Sequence, residues 1–471
     1  MKNAFIKPTL FALALGLGLS GCKDPLEIRP QQGIDAATAL NTPEKVGGAV
    51  VGMYAKLDDP RLYGTDLILV PELIGSDDYI RWDGTFSNYR QIAIRTLNSL
   101  NSNAAGIWQR AYEGINQANL VISALPVVTS ADLKNQYEGE ARFIRGDLYF
   151  ELARLYGRQY RTGGNNTQLA VPITLTASTT IDQATAKLSR STVEQVYTQA
   201  IADLTAALAK LPESNGTRAT KYSAEALLAR VYLQQGNYTA ARAAADDVIN
   251  KSGKSLAGSV AAIFANRNGS ETLFELQQND QNNAGAANDG LATYFASDGG
   301  VGRGDVRILP TFSTQYESND ARGTDSLAAS ATRKLIYLGD GARPGRLRSI
   351  KYRTYGQNIP IIRLAEMYLI RAEADVRANN AASALDDVNL IRTRSGATVL
   401  TSVTLADVLH ERQLELAFEG FHIYDLKRTN ADIVPASGTT PAVNANDPLL
   451  ILPIPQHDIN LNDQLTQNPG Y

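Results

Sequence analysis

The sequence predicts a helical fold assembled from helix pairs, and three observations carry that expectation. Past residue 41, apolar residues recur mostly at 3- and 4-residue steps, the spacing of one helix face. Segments 222–250 and 361–394 are alike: each has about the 34 residues of a tetratricopeptide helix pair, with alanines that permit close helix contact. Residues 277–305 interrupt this pattern with Asn, Gln, Asp and Gly and show no period beyond a few residues.

The chain begins with a segment that does not belong to the fold. Lys2 and Lys7 are followed by the apolar run Leu10–Leu19 and then by Ser20-Gly21, the order of a secretory signal peptide over residues 1–21. A span needs about 20 apolar residues, more than this run supplies. Leu19-Ser20-Gly21-Cys22 resembles the bacterial lipobox, whose cysteine sulfur receives a diacylglycerol and becomes the new N-terminus. Cys22, the only cysteine of the 471 residues, is thus expected to carry acyl chains such as palmitate. Each buried CH₂ contributes about 0.8 kcal/mol to anchoring. Residues 23–41 read as an extended tether.

Helices follow. Ala111, Ile115, Ala118 and Ile122 share one face of a helix that ends before Pro126. Ala141, Ile144, Leu148 and Leu152 do the same within 136–156. Thr192 opens a helix with Val193, Val196, Ala200, Leu204 and Leu208 inward and Pro212 as its stop. The two matching pairs break at Gly236-Asn237 and at Asn379-Asn380. About 110 residues separate them, which argues against a continuous array. Residues 333–338 and 348–355 read as short strands of a hairpin.

Composition excludes several functions. The chain carries −3, or −5 without residues 1–21, so it has no overall basic footprint for nucleic acid. Three histidines and one cysteine cannot supply an ordinary zinc site. Asp280, Asp289, Asp298 and Asp305 fit no EF-hand spacing. Gly299–Gly304 lacks the strand and lysine of a phosphate loop, and His410-Glu411 has leucine at 414 where a zincin needs histidine. Four-residue spacing puts Glu411, Glu415 and Glu419 in one helical row, the raw material of a glycoside hydrolase. Arg412, Lys427 and Arg428 are near enough in sequence to neutralise that row, so it reads as paired rather than catalytic.

The remaining chemistry is aromatic. Residues 79–90 (YIRWDGTFSNYR) place four aromatic rings among polar and turn-forming residues. A sugar's C–H face packs on such a ring while its hydroxyls take Asp, Asn or Arg partners. Tyr79, Trp82, Asp83 and Tyr89 are the expected ligand-binding residues, with Tyr294, Phe295 and Asp298 of the long loop opposite them.

Several motifs resemble the SusD/RagB family of Bacteroidota surface lipoproteins. They are Glu411-Arg412 through Glu415-Leu416-Ala417-Phe418-Glu419-Gly420 to Asp425-Leu426 and Arg428, Arg371-Ala372-Glu373-Ala374 with 385–394, the ending Leu452-Pro453-Ile454-Pro455 to Tyr471, and Gly52–Leu57 with Glu72–Asp78. His422-Ile423 departs from the Arg and aromatic of many members. The resemblance covers the whole mature chain. It implies an all-α protein of tetratricopeptide-like helix pairs with a loop-rich second face and a few short strands. One domain would span 42–471, with helix pairs near 136–211, 219–252 and 361–395 and binding insertions near 75–105 and 277–358. It further implies a non-enzymatic protein without cofactor on the outer-membrane surface, held by its lipid anchor. Such a protein binds an oligosaccharide or polysaccharide and passes it to a SusC-like TonB-dependent transporter. A peptide ligand, a hydrolase and a purely structural adaptor remain the alternatives.

Overall fold

A computed structural model describes residues 39–76, 78–285, 289–324, 334–434 and 442–471. The signal peptide, Cys22 and nearly all of the tether lie outside the described residues.

Eight helices build the scaffold: α1 (Pro43–Leu57), α2 (Asp66–Ile74), α3 (Ser87–Ala93), α4 (Ser102–Ala124), α5 (Ala131–Tyr156), α6 (Val193–Lys210), α7 (Lys221–Gln235) and α8 (Tyr238–Lys251). A short α9 (Leu291–Phe295) follows, then α10 (Leu364–Arg377), α11 (Ala381–Ser395), α12 (Leu405–Glu415) and α13 (His422–Thr429). Local chemistry sets their ends. Thr192 and Thr220 close capping boxes on α6 and α7, satisfying N–H groups that the first turn leaves free. Gly236 ends α7 at φ 72°, and a Cβ there would strike the Thr162 hydroxyl at 2.1 Å.

The expected interruption of the array does not occur. α5 packs on α6, α6 on α7, α7 on α8, and α8 directly on α10, which packs on α11 and α12. Ion pairs stitch the junction: Arg242 to Asp375 and Arg371 to Asp246, both at 2.6 Å. The 110 residues between are an excursion that leaves the stack and returns to it.

That excursion holds most of the strands. β2 (Thr272–Leu276) pairs antiparallel with β6 (Ile359–Arg363), immediately before α10. A second sheet has the order β1-β3-β5-β4, from β1 (Ile80–Trp82), β3 (Val306–Ile308), β4 (Ile336–Leu338) and β5 (Leu347–Ser349). β4 and β5 are the expected hairpin, shorter than read because a 3₁₀ turn, Ile350–Tyr352, ends β5. β1, β2, β3 and β6 escaped the sequence reading, since runs of three to five residues are too short to show a period.

Arg363, at the end of β6 and 2% exposed, clamps the two parts together. Its guanidinium reaches Glu271 at 2.9 Å, Glu419 at 2.7 Å, the Glu415 carboxylate and the Glu415 carbonyl at 2.8 Å. Arg394 adds a second contact to Glu271, Arg322 joins Asp320, Glu411 and Glu415, Arg392 reaches Glu411, and Lys351 reaches Glu419. Removing one member of such a buried network leaves charge unpaired and costs about 3–5 kcal/mol. Glu415→Ala is therefore expected to lower the unfolding free energy from urea titration by an amount of that order, whereas an unchanged value would show the network to be dispensable.

A second buried carboxyl supports the turn after α12. Glu72 of α2 accepts from the N–H of Gly420 at 2.6 Å and of Phe421 at 3.2 Å. Burial pushes it up to about 7, although those two donors pull the other way. An unfolded glutamate ionises near 4.5, so between 4.5 and about 7 the folded chain holds a proton that the unfolded one has lost. Stability from this group is full below 4.5 and falls as pH rises toward 7. Glu72→Gln keeps an acceptor and cannot ionise. Its urea midpoint relative to the native chain is expected to rise from about pH 5 to about pH 8, and a constant difference would contradict this assignment.

Candidate functional site

The candidate site grows from one strand pairing. β1 lies antiparallel to β3 with Trp82 opposite Val306 and Ile80 opposite Ile308. The Asp83 N–H then donates to the Asp305 carbonyl at 2.7 Å. This pairing brings residues 79–90 against the loop around 290–308, two segments some 200 residues apart in sequence.

Four rings meet there. Trp82 lies 4.8 Å from Tyr89 and 5.5 Å from Tyr294, Tyr89 lies 5.2 Å from Tyr294, and Phe86 stands edge-on to Tyr294 at 6.4 Å. Polar groups clamp the cluster from beneath. The Tyr89 hydroxyl donates to Asp66 at 2.7 Å, the Tyr294 hydroxyl donates to Asp289, and Arg61 bridges both carboxylates at 2.9 Å. Asn103 also donates to Asp66 at 2.9 Å. Burial pushes Asp66 up to about 6, with Arg61 opposing. Burial and Asp289 hold the Tyr294 hydroxyl far above the ordinary tyrosine range, so it stays a neutral donor.

Exposure ranks the rings differently from the sequence reading. Tyr89 and Tyr294 are buried and Trp82 is 6% exposed, while Phe86 is 39% exposed. The Arg303 guanidinium stands 4.6 Å from the Phe86 ring centre and 5.6 Å from that of Tyr294. All five aromatic residues expected to bind ligand, Tyr79, Trp82, Tyr89, Tyr294 and Phe295, are at most 6% exposed, and two of them turn away from the cluster altogether. Tyr79 stacks on Phe418 at 5.2 Å, meets Phe312 edge-on at 4.6 Å, and accepts the Phe418 N–H with its hydroxyl. Phe418 has φ 68°, a strained value for a side chain with a Cβ, and Tyr79 helps to hold it. Phe295 turns the other way, against Tyr352 at 5.3 Å and Phe418 at 6.1 Å.

The two expected acids lie at the rim. Asp83 is shared by Arg81 at 3.6 Å, Arg307 at 3.2 Å and Arg346. Asp298 pairs with Arg353. Sequence reasoning passed over Phe86, which sits in the quoted stretch, and over these arginines. The run Arg343-Pro344-Gly345-Arg346-Leu347-Arg348 was the visible signal.

The glutamate row does not form a catalytic pair. α12 ends at Glu415, so Glu419 leaves the helix, and the neutralising partners are not the expected ones. Arg322 and Arg392 hold Glu411, Arg363 and Lys351 hold Glu419, while Arg412 turns to Asp425 and Arg428 to Glu373. Burial raises Glu415, but Arg394, Arg363 and Arg322 outweigh it and hold its carboxyl well below the usual range. A general acid needs the opposite shift. Among the described residues no group of three or more His, Cys, Asp or Glu is placed to hold a metal ion.

A cavity of about 320 Å³ lies between α12 and α13, lined by Tyr79, Leu409, Arg412, Leu416, Phe421, His422 and neighbours. Tyr79, three residues before Trp82, reaches its wall, but the exposed Phe86 ring and the rings of Trp82, Tyr89 and Tyr294 do not, so the cluster around Phe86 is the candidate for sugar contact.

Comparisons with known proteins agree with this architecture. A profile described as "SusD family" matches residues 311–471, and one described as "Starch-binding associating with outer membrane" matches 34–233. The chain is 27% identical over 520 aligned positions to "SusD-like protein P2" of Formosa agariphila, covering 98% of each. A SusD superfamily structure from Bacteroides thetaiotaomicron superposes with TM-score 0.77 at 26% identity, covering 91% of this chain and 100% of the other. A structure described as a laminarin binding SusD-like protein superposes at 0.74 with 22% identity, covering 92% and 100%, and so shares the fold.

The burial of Trp82 bears on how the site is probed. Replacing a buried Trp by Ala costs about 3–5 kcal/mol. Trp82→Ala is expected to lower the urea midpoint markedly, and Phe86→Ala to leave the unfolding free energy within about 1 kcal/mol of native. Equal midpoints for the two variants would mean that Trp82 is not a packing residue.

Proposed function

Because the chain is a SusD/RagB-like family protein, we propose that it binds an oligosaccharide or polysaccharide outside the cell and delivers it to a partner TonB-dependent outer-membrane transporter. The observation that carries this reading is the aromatic cluster of residues 82–89 and 294, clamped on the helical scaffold with Phe86 outward. Phe86 supplies the platform for a sugar ring, and Trp82 packs behind it against Tyr89 and Tyr294. Asp83, Asp298 and the arginines around them supply hydrogen-bond partners for hydroxyl groups. Tyr89 and Tyr294 act from behind, fixing the platform.

The profile description and the laminarin-binding protein of the same fold support a glycan as ligand. Cys22 supplies the lipid anchor in this reading. No helix of the described residues is long and apolar enough to cross a membrane. Binding proceeds without bond cleavage, since Glu411, Glu415 and Glu419 are all committed to arginine or lysine partners. Affinity is moderate, because a ligand that is passed on must also leave.

The test is native affinity electrophoresis of the full chain, purified in detergent, through gels containing single polysaccharides. One glycan class is expected to retard it, with affinity about tenfold weaker in Phe86→Ala and no new reducing ends. Retardation untouched by Phe86→Ala would move the site elsewhere. Release of reducing ends would make the protein a hydrolase.

A further inference from the structure

The face around Phe86 has a charge out of keeping with the rest of the molecule. Three segments meet there: 79–90, 296–308 and 337–355. Together they hold eight arginines and one lysine against four aspartates, and no glutamate. These segments alone carry +5 in a chain of −3, so the remainder carries −8. Lys351 points away, to buried Glu419. The eight arginines and four aspartates are left, and with Arg61, Asp66 and Asp289 beneath the rings the excess is three positive charges.

Internal pairing does not absorb that excess. Arg81, Arg307 and Arg346 share the single carboxylate of Asp83. Arg303 and Arg343 share Asp305. Arg90 donates to the Gly84 carbonyl at 2.8 Å, and Arg348 donates to the carbonyls of Val306 and Arg343. Arg348 is wholly buried under Gly304, where a Cβ would come within 2.7 Å of its guanidinium. Burial pulls its pKa down to about 10 against the opposing pull of Asp83 and Tyr337, and Arg346 and Arg343 add to the lowering. The charge network around Arg363 is balanced by contrast: Arg322, Lys351, Arg363, Arg392 and Arg394 meet Asp320, Glu271, Glu411, Glu415 and Glu419.

The arginines of the Phe86 face are also reachable. The side chain of Arg81 is 67% exposed and that of Arg346 36%. A guanidinium has five N–H donors, and one shared carboxylate occupies few of them. The planar fork suits sulfate and carboxylate oxygens, which it can hold through two parallel bonds. Arg303, lying over the exposed Phe86 ring, sets a cation beside a sugar platform.

We propose that the ligand of this face is a polyanionic oligosaccharide, one whose sugar rings carry sulfate esters or carboxylates. The inference rests on the glycan-binding reading above and names its ligand class. Phe86 holds a ring face while Arg81, Arg346 and Arg303 hold the anionic substituents, and the local positive field draws the chain in from solution.

The test compares dextran with dextran sulfate, which share a backbone, and adds polygalacturonate as the carboxylate arm and poly-glutamate as an anion without sugar. The full chain is used with two variants, Phe86→Ala and the double variant Arg81→Gln/Arg346→Gln. Arg307 still neutralises Asp83 in the double variant, so folding is preserved, and its urea midpoint verifies this. At about 0.15 M salt, dextran sulfate, polygalacturonate or both are expected to bind at least about tenfold more tightly than dextran. Each variant is expected to lose about tenfold of that affinity, and poly-glutamate to bind no better than dextran. Tighter binding of only one anionic arm identifies the substituent and supports the proposal. Dextran binding as tightly as its sulfate, with the double variant unchanged, overturns the anionic class and leaves glycan binding standing. Poly-glutamate binding equally well reduces the face to ion exchange and overturns the proposal. So does capture by phosphatidylglycerol vesicles that depends on Arg81 and Arg346 while no glycan is retained, and that outcome also removes the glycan reading from this face.

Discussion

Arg363 is the side chain on which the architecture turns. It stands where β6 becomes α10, the point at which a long excursion rejoins the helical stack. From there it holds Glu271 beside β2, Glu415 at the end of α12 and Glu419 in the following turn. A guanidinium sealed at 2% exposure must have its donors satisfied, and its carboxylate partners must be matched by further cations. Arg322, Arg394 and Lys351 meet that demand and extend the contact into neighbouring segments. Such a network fixes position more than it adds stability, because desolvation offsets most of the Coulombic gain.

With the excursion fixed at its return, the loops it carries can present a surface. The β1–β3 pairing sets the rings of 82–89 against Tyr294, and Arg61 ties two of them to Asp66 and Asp289. The buried ends are crowded and polar-satisfied, and the outward end shows Phe86 and a group of arginines. The difference between the matched charges around Arg363 and the surplus at this face follows from solvation. Water tolerates an exposed guanidinium such as that of Arg81 at little cost, so the outer arginines need no carboxylate each.

Much of this was legible in the sequence. The helix breaks at Gly236 and Asn379-Asn380, the cap at Thr192 and the buried faces of α4 to α8 follow from spacing within one element. The likeness of the motifs around Glu411–Gly420 pointed to the family. The two loop segments were paired correctly as neighbours, but their residues were not sorted correctly within them. Tyr79 and Phe295 serve the core, Phe86 reaches solvent, and the strands that join the loops were too short to read.

The sequence by itself determined the helices, their ends and the family to which they point, because caps, breaks and 3.6-residue faces are set by residues within a few positions of one another. Only the tertiary structure decided which ring of 79–90 faces outward and which arginines crowd Asp83. Tyr79 and Phe86 are both aromatic residues of one short stretch, and their burial depends on Phe312, Phe418 and Tyr294, far away in the chain. The partners of Asp83 come from positions 81, 307 and 346. Burial and charge pairing depend on distance in space, and no local pattern records which remote side chain will arrive.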